Sequence, residues 1–262
     1  MFKLFKKSCT YKIAGPQGGI SSTLCLPSGF NIEKDRCPMV VLMHGFMAKK
    51  EMYPLTYIAR ALAKEGIASL RFDFDAHGKS EGKFIDMTIS TELADAQAVV
   101  EYAASLQFVS SIALLGHSQG GVIAGMLAGR LEDSPLRPSC LVLLAPAAVL
   151  KDDAIAGQCM NAKYNAADPP EYVNVFFHKL GRKFILEAQK LPIYETSAKY
   201  SGKVCIIHGG KDKIVPVEYS VRYRDGYSDC EFHLLENEDH FLKSDKAAVI
   251  GPVTAFLKGN LI

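Results

Sequence analysis

The chain has 262 residues, 48% of them hydrophobic, and a formal net charge of +2. That length lies near the upper limit for a single hydrophobic core, and the composition is that of a globular protein, not a disordered or membrane one. A charge so near balance gives no basis for binding nucleic acid or acidic lipid, and the apolar stretches fall far short of the roughly 18 residues of a membrane span.

In chain order, Lys3, Lys6 and Lys7 around Phe2, Leu4 and Phe5 have the charge of a secretory n-region. No apolar h-region or small-residue cleavage site follows, so a cytoplasmic location is expected. The stretch "YKIAGPQGGISSTLCLP" (11–27) reads as a leading antiparallel hairpin. Five short apolar runs come next: "PMVVLMHG" (38–45), "IASLRFDF" (67–74), "SIALLGHS" (111–118), "CLVLLAPA" (140–147) and "KVCIIHGG" (203–210). A weaker run, "CEFHLLE" (230–236), closes the series. These runs are apolar throughout rather than alternating, as parallel strands buried on both faces require. Helical periodicity falls between them at 52–64, 91–106, 119–131, 217–226 and 244–258. The β-α-β-α order predicts an α/β fold with a mostly parallel, doubly wound sheet. One connection is too long for that scheme: residues 149–200 separate the sixth strand from the next. It holds Pro169-Pro170, a β-like "YVNVFF" (172–177) and a helical "RKFILEAQKL" (182–191), and is expected to be an inserted cap on a core of 1–148 and 201–262.

The seven cysteines are odd in number, widely spaced and without a C-x-x-C pair. They support neither a zinc site nor a redox motif and read as reduced thiols, with Cys140 and Cys205 as small buried hydrophobes. Lys79-Ser80 would need a glycine at position 73 to end a phosphate-binding loop, and Asp73 stands there. "GPQGG" (15–19) is not a dinucleotide fingerprint, and no H-E-x-x-H occurs. No cofactor and no metal are expected.

The chemistry gathers around "LLGHSQGG" (114–121), where a buried strand runs into a serine between glycines. Gly116-His117-Ser118-Gln119-Gly120 fits G-x-S-x-G, a sharp strand-to-helix turn that exposes a nucleophile at the carboxyl edge of the sheet. A serine that merely caps the following helix is the plain alternative. A nucleophilic serine needs an acid and a base later in the chain, in that order. Asp212 follows the strand ending near His208-Gly209, and His240 lies in the loop after the last strand. Asp239 competes as the acid, but adjacent side chains seldom orient one another. His117 is expected to point away from the serine in a structural role, and His208 to pack under the Asp212 turn. His178 falls in the insert and His233 in mid-strand. Two converging amides must hold the oxyanion: that of Gln119, after the nucleophile, and that of Phe46 in "HGF" (44–46).

Together, HGF (44–46), "FDFDAHGKSEG" (72–82), GHSQGG (116–121), HGGKD (208–212) and EDH (238–240) resemble the α/β-hydrolase superfamily over nearly the whole chain. Asp73 and His77 then belong to a structural loop. More narrowly, GHSQGG, "LLAPAAVLKDDA" (143–154) and "LPIYE" (191–195) are similar to cinnamoyl and feruloyl esterases with a small lid. That resemblance implies hydrolysis of hydroxycinnamoyl esters, with the cap supplying the acyl pocket. It assigns Asp153 to the para hydroxyl, and the aromatic content of the cap adds Tyr164, Tyr172, Phe176 and Phe177 as wall candidates. Two alternatives stay open: a lipase or esterase of monoacylglycerols or short acyl esters, and a non-catalytic binding protein on the same scaffold. The expected partner is a small-molecule ester, and association into a homo-oligomer is undetermined.

Overall fold

The computed structural model describes residues 8–262, so the basic N-terminal stretch lies outside the described residues. Strands β1 (Ser8–Gly15) and β2 (Gly18–Cys25) form the antiparallel hairpin. The chain then alternates β3 (Cys37–Met43), α1 (Leu55–Lys64), β4 (Ala68–Phe72), α2 (Ile89–Ser105), β5 (Val109–His117), α3 (Gln119–Arg130) and β6 (Cys140–Leu144). The long connection holds α4 (Val149–Ala156), β7 (Gln158–Cys159), β8 (Ala162–Lys163), β9 (Tyr172–Val175), β10 (His178–Gly181), α5 (Arg182–Ala188) and α6 (Ile193–Ser197). Elements β11 (Lys203–Gly209), α7 (Val217–Gly226), β12 (Cys230–Leu235) and α8 (Lys246–Leu261) complete the fold.

The main sheet has eight strands in the order β1-β2-β4-β3-β5-β6-β11-β12. Strand β2 runs against both neighbours, and the remaining pairings are parallel. The unbroken apolarity of the central strands has a direct cause. Val41, Met43, Leu114 and Leu143 pack toward α2 and α3. Val40, Leu42, Leu115 and Leu144 pack toward α1 and α8. Helix α1 buries Leu55, Ile58, Ala59 and Leu62, the i, i+3, i+4, i+7 stripe of a helix lying on a sheet. Helix α2 starts at Thr88, whose hydroxyl accepts from the Thr91 amide while the Thr91 hydroxyl accepts from the Thr88 amide.

Register brings the strand ends to one edge. Gly116 lies beside Met43, His117 beside Leu144, Ile207 beside Leu144, and Gly209 beside Leu235. The loops that follow β5, β11 and β12 therefore share that edge. In the connection, β7–β8 and β9–β10 are two short hairpins. The strand expected over 172–177 stops at Val175, and Phe176 and Phe177 form the hairpin turn. The connection has elements of its own but shares its core: Ala162, Val173, Val175, Leu180 and Phe184 join one apolar cluster with α2 and α3. Its last helix, α6, buries Ile193 and Ser197 against α3. Among the described residues, no helix is long and apolar enough to cross a membrane.

Candidate active site

Ser118 sits at φ +56° and ψ −124°, outside the regions an ordinary side chain favours. Such a conformation costs about 1–3 kcal/mol and persists only where the surroundings impose it. Here the glycines on either side permit it. A Cβ on Gly116 would overlap the Gly120 carbonyl, and a Cβ on Gly120 would overlap the His44 carbonyl. The Ser118 carbonyl accepts from the Gly121, Val122 and Ala147 amides, which ties the turn to α3 and to the start of the connection. The hydroxyl makes no capping bond to α3. It lies 2.9 Å from His240 Nε2 instead.

His240 Nδ1 donates to Asp212 Oδ2 at 2.7 Å. The other oxygen of Asp212 accepts from the Ile214 and Val215 amides, both at 2.8 Å. Burial pushes the Asp212 carboxyl up, but hydrogen bonds from His208, His240 and the Val215 amide outweigh it and hold the group below the usual carboxylate range. Asp212 thus stays ionised and keeps the proton of His240 on Nδ1, leaving Nε2 free to accept from Ser118. His208, fully buried, donates from Nε2 to the Val215 carbonyl, accepts at Nδ1 from Ser220, and lies 3.3 Å from Asp212 Oδ2. Asp239 serves only its own turn, accepting from the Phe241 amide. The loop carrying His240 is fixed by buried Glu238, which accepts from the Ser244 and Asp245 amides.

His117 takes the structural role expected of it, bonded to the backbone of His240 and not to Ser118. Its Nε2 donates to the His240 carbonyl at 2.9 Å, and the two rings lie 5.1 Å apart. Burial and the neighbouring His240 push His117 down to about 4, so it stays neutral and acts through this one hydrogen bond.

The Phe46 amide has no backbone acceptor among the described residues. The Gln119 amide, first in α3, has no carbonyl within its own helix to reach. The loop that carries Phe46 is braced from beneath. His44 Nε2 accepts from the Phe74 amide and His77 Nε2 accepts from the Met47 amide, while their Nδ1 atoms donate to the Gly45 and Asp75 carbonyls. Burial and the adjacent His77 push His44 down to about 3, which preserves this neutral tautomer. Lys50 and Asp73 form a buried ion pair at 2.6 Å, and Asp73 also accepts from the Lys50 and Lys79 amides. The Gln119 side chain donates to Glu92 at 2.6 Å. Glu92 is fully buried, and burial raises its carboxyl well above the usual range.

Ser118 opens onto a cavity of about 380 Å³ lined also by Phe46, Gln119, Leu150, Asp153, Tyr164, Phe184 and Ile214. Asp153 Oδ1 accepts from the Gln158 side chain at 2.7 Å, and Tyr164 donates to the Gln158 carbonyl at 3.0 Å. Phe176 is not in the wall. It is 51% exposed at the tip of the β9–β10 hairpin, where a turn directs side chains to solvent. Phe184 of α5 takes the aromatic place, with its ring 5.9 Å from that of Phe46. Gln158 and Phe184 carry no sequence signal for this role. Cys205, Glu231 and His233 are close enough to share a metal ion, but they stand in mid-strand on β11 and β12, away from the edge that carries Ser118.

The model of the family described as serine aminopeptidase, S33, matches residues 34–168. Human protein ABHD12B is 25% identical over 186 residues, covering 71% of this chain and 49% of its own, so this chain spans about half of that relative. A monoacylglycerol lipase of Mycolicibacterium smegmatis is 23% identical, covering 85% of this chain and 89% of its own. Among solved structures, Est1E from Butyrivibrio proteoclasticus with ferulic acid bound superposes with a TM-score of 0.89 at 29% identity, covering 95% of this chain and 98% of its own. The chain is an α/β-hydrolase and belongs to the serine aminopeptidase S33 family.

Proposed function

We propose that this hydrolase is a carboxylic ester hydrolase that cleaves hydroxycinnamoyl esters through an acyl-enzyme on Ser118. One observation carries the reading: the hydrogen-bonded series Asp212, His240, Ser118 ends in a cavity with largely apolar walls, one carboxylate, Asp153, and one cation, Lys213. His240 Nε2 takes the hydroxyl proton as Ser118 Oγ attacks the ester carbonyl. The oxyanion lies against the Phe46 and Gln119 amides. Collapse expels the alcohol, which takes the proton from His240. Water then repeats the sequence and releases the acid. The aryl ring packs among Phe46, Leu150 and Phe184, and Asp153 accepts the para hydroxyl with Gln158 and Tyr164 beside it.

Est1E, which holds ferulic acid, supports the aromatic acyl group. The M. smegmatis lipase favours a second reading, an esterase of monoacylglycerols or other aliphatic acyl esters. A substrate panel separates the two: methyl ferulate, methyl para-coumarate, methyl cinnamate, a monoacylglycerol and 4-nitrophenyl butyrate. The proposal expects the highest kcat/KM on the para-hydroxylated cinnamoyl esters. Preference for the aliphatic esters favours the second reading, and failure to react with a fluorophosphonate probe favours a binding protein. The seven free cysteines support a reducing, cytoplasmic location.

A further inference from the structure

A second cavity, about 470 Å³, opens on the α1 side of the sheet and shares no lining residue with the catalytic one. Its floor is Arg71 of β4, only 6% exposed. That guanidinium is poorly compensated. Its Nε is enclosed by protein and has no hydrogen-bond partner among the described residues, so the guanidinium meets the cavity through its terminal nitrogens alone. Its one carboxylate contact is Glu51, at 3.5 Å, and the Glu51 side chain is half exposed and also accepts from the Thr23 hydroxyl. A buried charge left in this state costs stability unless something completes its hydrogen bonds. Two more cations stand at the mouth, Arg60 and Lys64, one turn apart on α1. Neither forms an ion pair among the described residues. Hydroxyl donors border the same space at Ser28 and Thr56.

We infer that this cavity is a binding site for a phosphate-bearing small molecule, with Arg71 donating from below and Arg60 and Lys64 from the rim. Three cations against the single carboxylate of Glu51 leave the site two charges positive, which matches a phosphate dianion. The planar guanidinium fork suits the tetrahedral oxygens of phosphate. The volume exceeds what inorganic phosphate alone would fill, so a small organic phosphate ester is the expected occupant.

The test is isothermal titration of the full chain with inorganic phosphate, glycerol 3-phosphate and acetate at fixed ionic strength, with thermal unfolding in parallel. Either phosphate should bind at one site. It should raise Tm by about 2–4 °C at roughly five times its dissociation constant. Glycerol 3-phosphate should bind at least as tightly as inorganic phosphate. Arg71→Met should weaken binding about 10-fold or more, the loss expected for a charged hydrogen bond. If that variant does not fold, the exposed double variant Arg60→Ala, Lys64→Ala decides, and it should weaken binding by about 10-fold. Absence of binding to the parent chain, undiminished binding in the folded variants, or acetate binding as tightly as phosphate overturns the inference.

Discussion

The two sides of the catalytic cavity are built differently. On the core side the functional groups meet across the chain: Ser118 and His240 are 122 residues apart, and His117 reaches the His240 carbonyl over 123. Each group there is fixed more than once. Asp212 accepts from two amides and from His240, and the Phe46 loop is held by His44, His77 and the Lys50–Asp73 pair. On the cap side the polar contacts of the cavity-lining residues Asp153, Gln158 and Tyr164 are local: Gln158 reaches Asp153 over 5 residues, and Tyr164 reaches Gln158 over 6, while longer bonds such as Lys151 to the Leu191 carbonyl hold the cap's frame. The proton-transfer machinery is thus tied to the sheet. The pocket's polar group belongs to a short stretch that can vary without disturbing it.

The largest effects should come from breaking the core side. Ser118→Ala and His240→Ala should each lower kcat by about 10⁴- to 10⁶-fold with the fold intact by circular dichroism. Near-parental turnover of a folded variant would remove that residue from the mechanism. Asp212→Asn should cost about 10³- to 10⁴-fold, because the amide reverses the preferred tautomer of His240. Asp239→Asn, which alters only a local turn, should remain close to the parent. The reverse order would move the acid to Asp239.

Smaller effects belong to the cap side. Asp153→Ala should lower kcat/KM for para-hydroxylated cinnamoyl esters by about 10- to 150-fold, from the loss of one charged hydrogen bond. It should leave methyl cinnamate nearly unchanged. Equal losses on both esters would make Asp153 a structural residue of the cap.

The smallest effect sharpens the picture of the core as strained beneath the site. Burial raises Asp75 to about 6, and burial with the neighbouring Asp75 raises Asp95 to about 7. Each carboxyl binds its proton more tightly folded than unfolded. Their contribution is therefore complete below the unfolded value of about 4 and is lost as pH rises toward 7. Asp95→Asn keeps a carbonyl oxygen for the Asp75 amide and removes one of these charges. Its Tm relative to the parent should rise between pH 5 and pH 8 by about 2–4 °C for each kcal/mol relieved. A difference that stays constant with pH would place the strain elsewhere.

What could be read from the sequence follows the same division. The strands were legible because burial on both faces leaves continuous apolar runs such as "PMVVLM". The elbow was legible because its backbone demands glycine at positions 116 and 120. The groups that brace the site were not legible. Lys50 lies in "MAKKE" and looks like a surface lysine, because its partner Asp73 is 23 residues away. Glu92 and Asp95 occupy positions of α2 that polarity alone would assign to solvent. In the cap, aromatic content pointed to Phe176, while only the packing of α5 against Phe46 identifies Phe184.

The central claim is that a hydroxycinnamoyl group becomes bonded to Ser118 during turnover. The direct measurement is acid quenching of the enzyme during reaction with 4-nitrophenyl ferulate, whose activated leaving group makes acylation faster than deacylation, followed by peptide mass mapping. The account predicts a burst of nitrophenolate equal to the enzyme concentration and a feruloyl adduct on the peptide containing Ser118, both absent in Ser118→Ala. Turnover with that peptide unmodified, or an adduct on another residue, would contradict it.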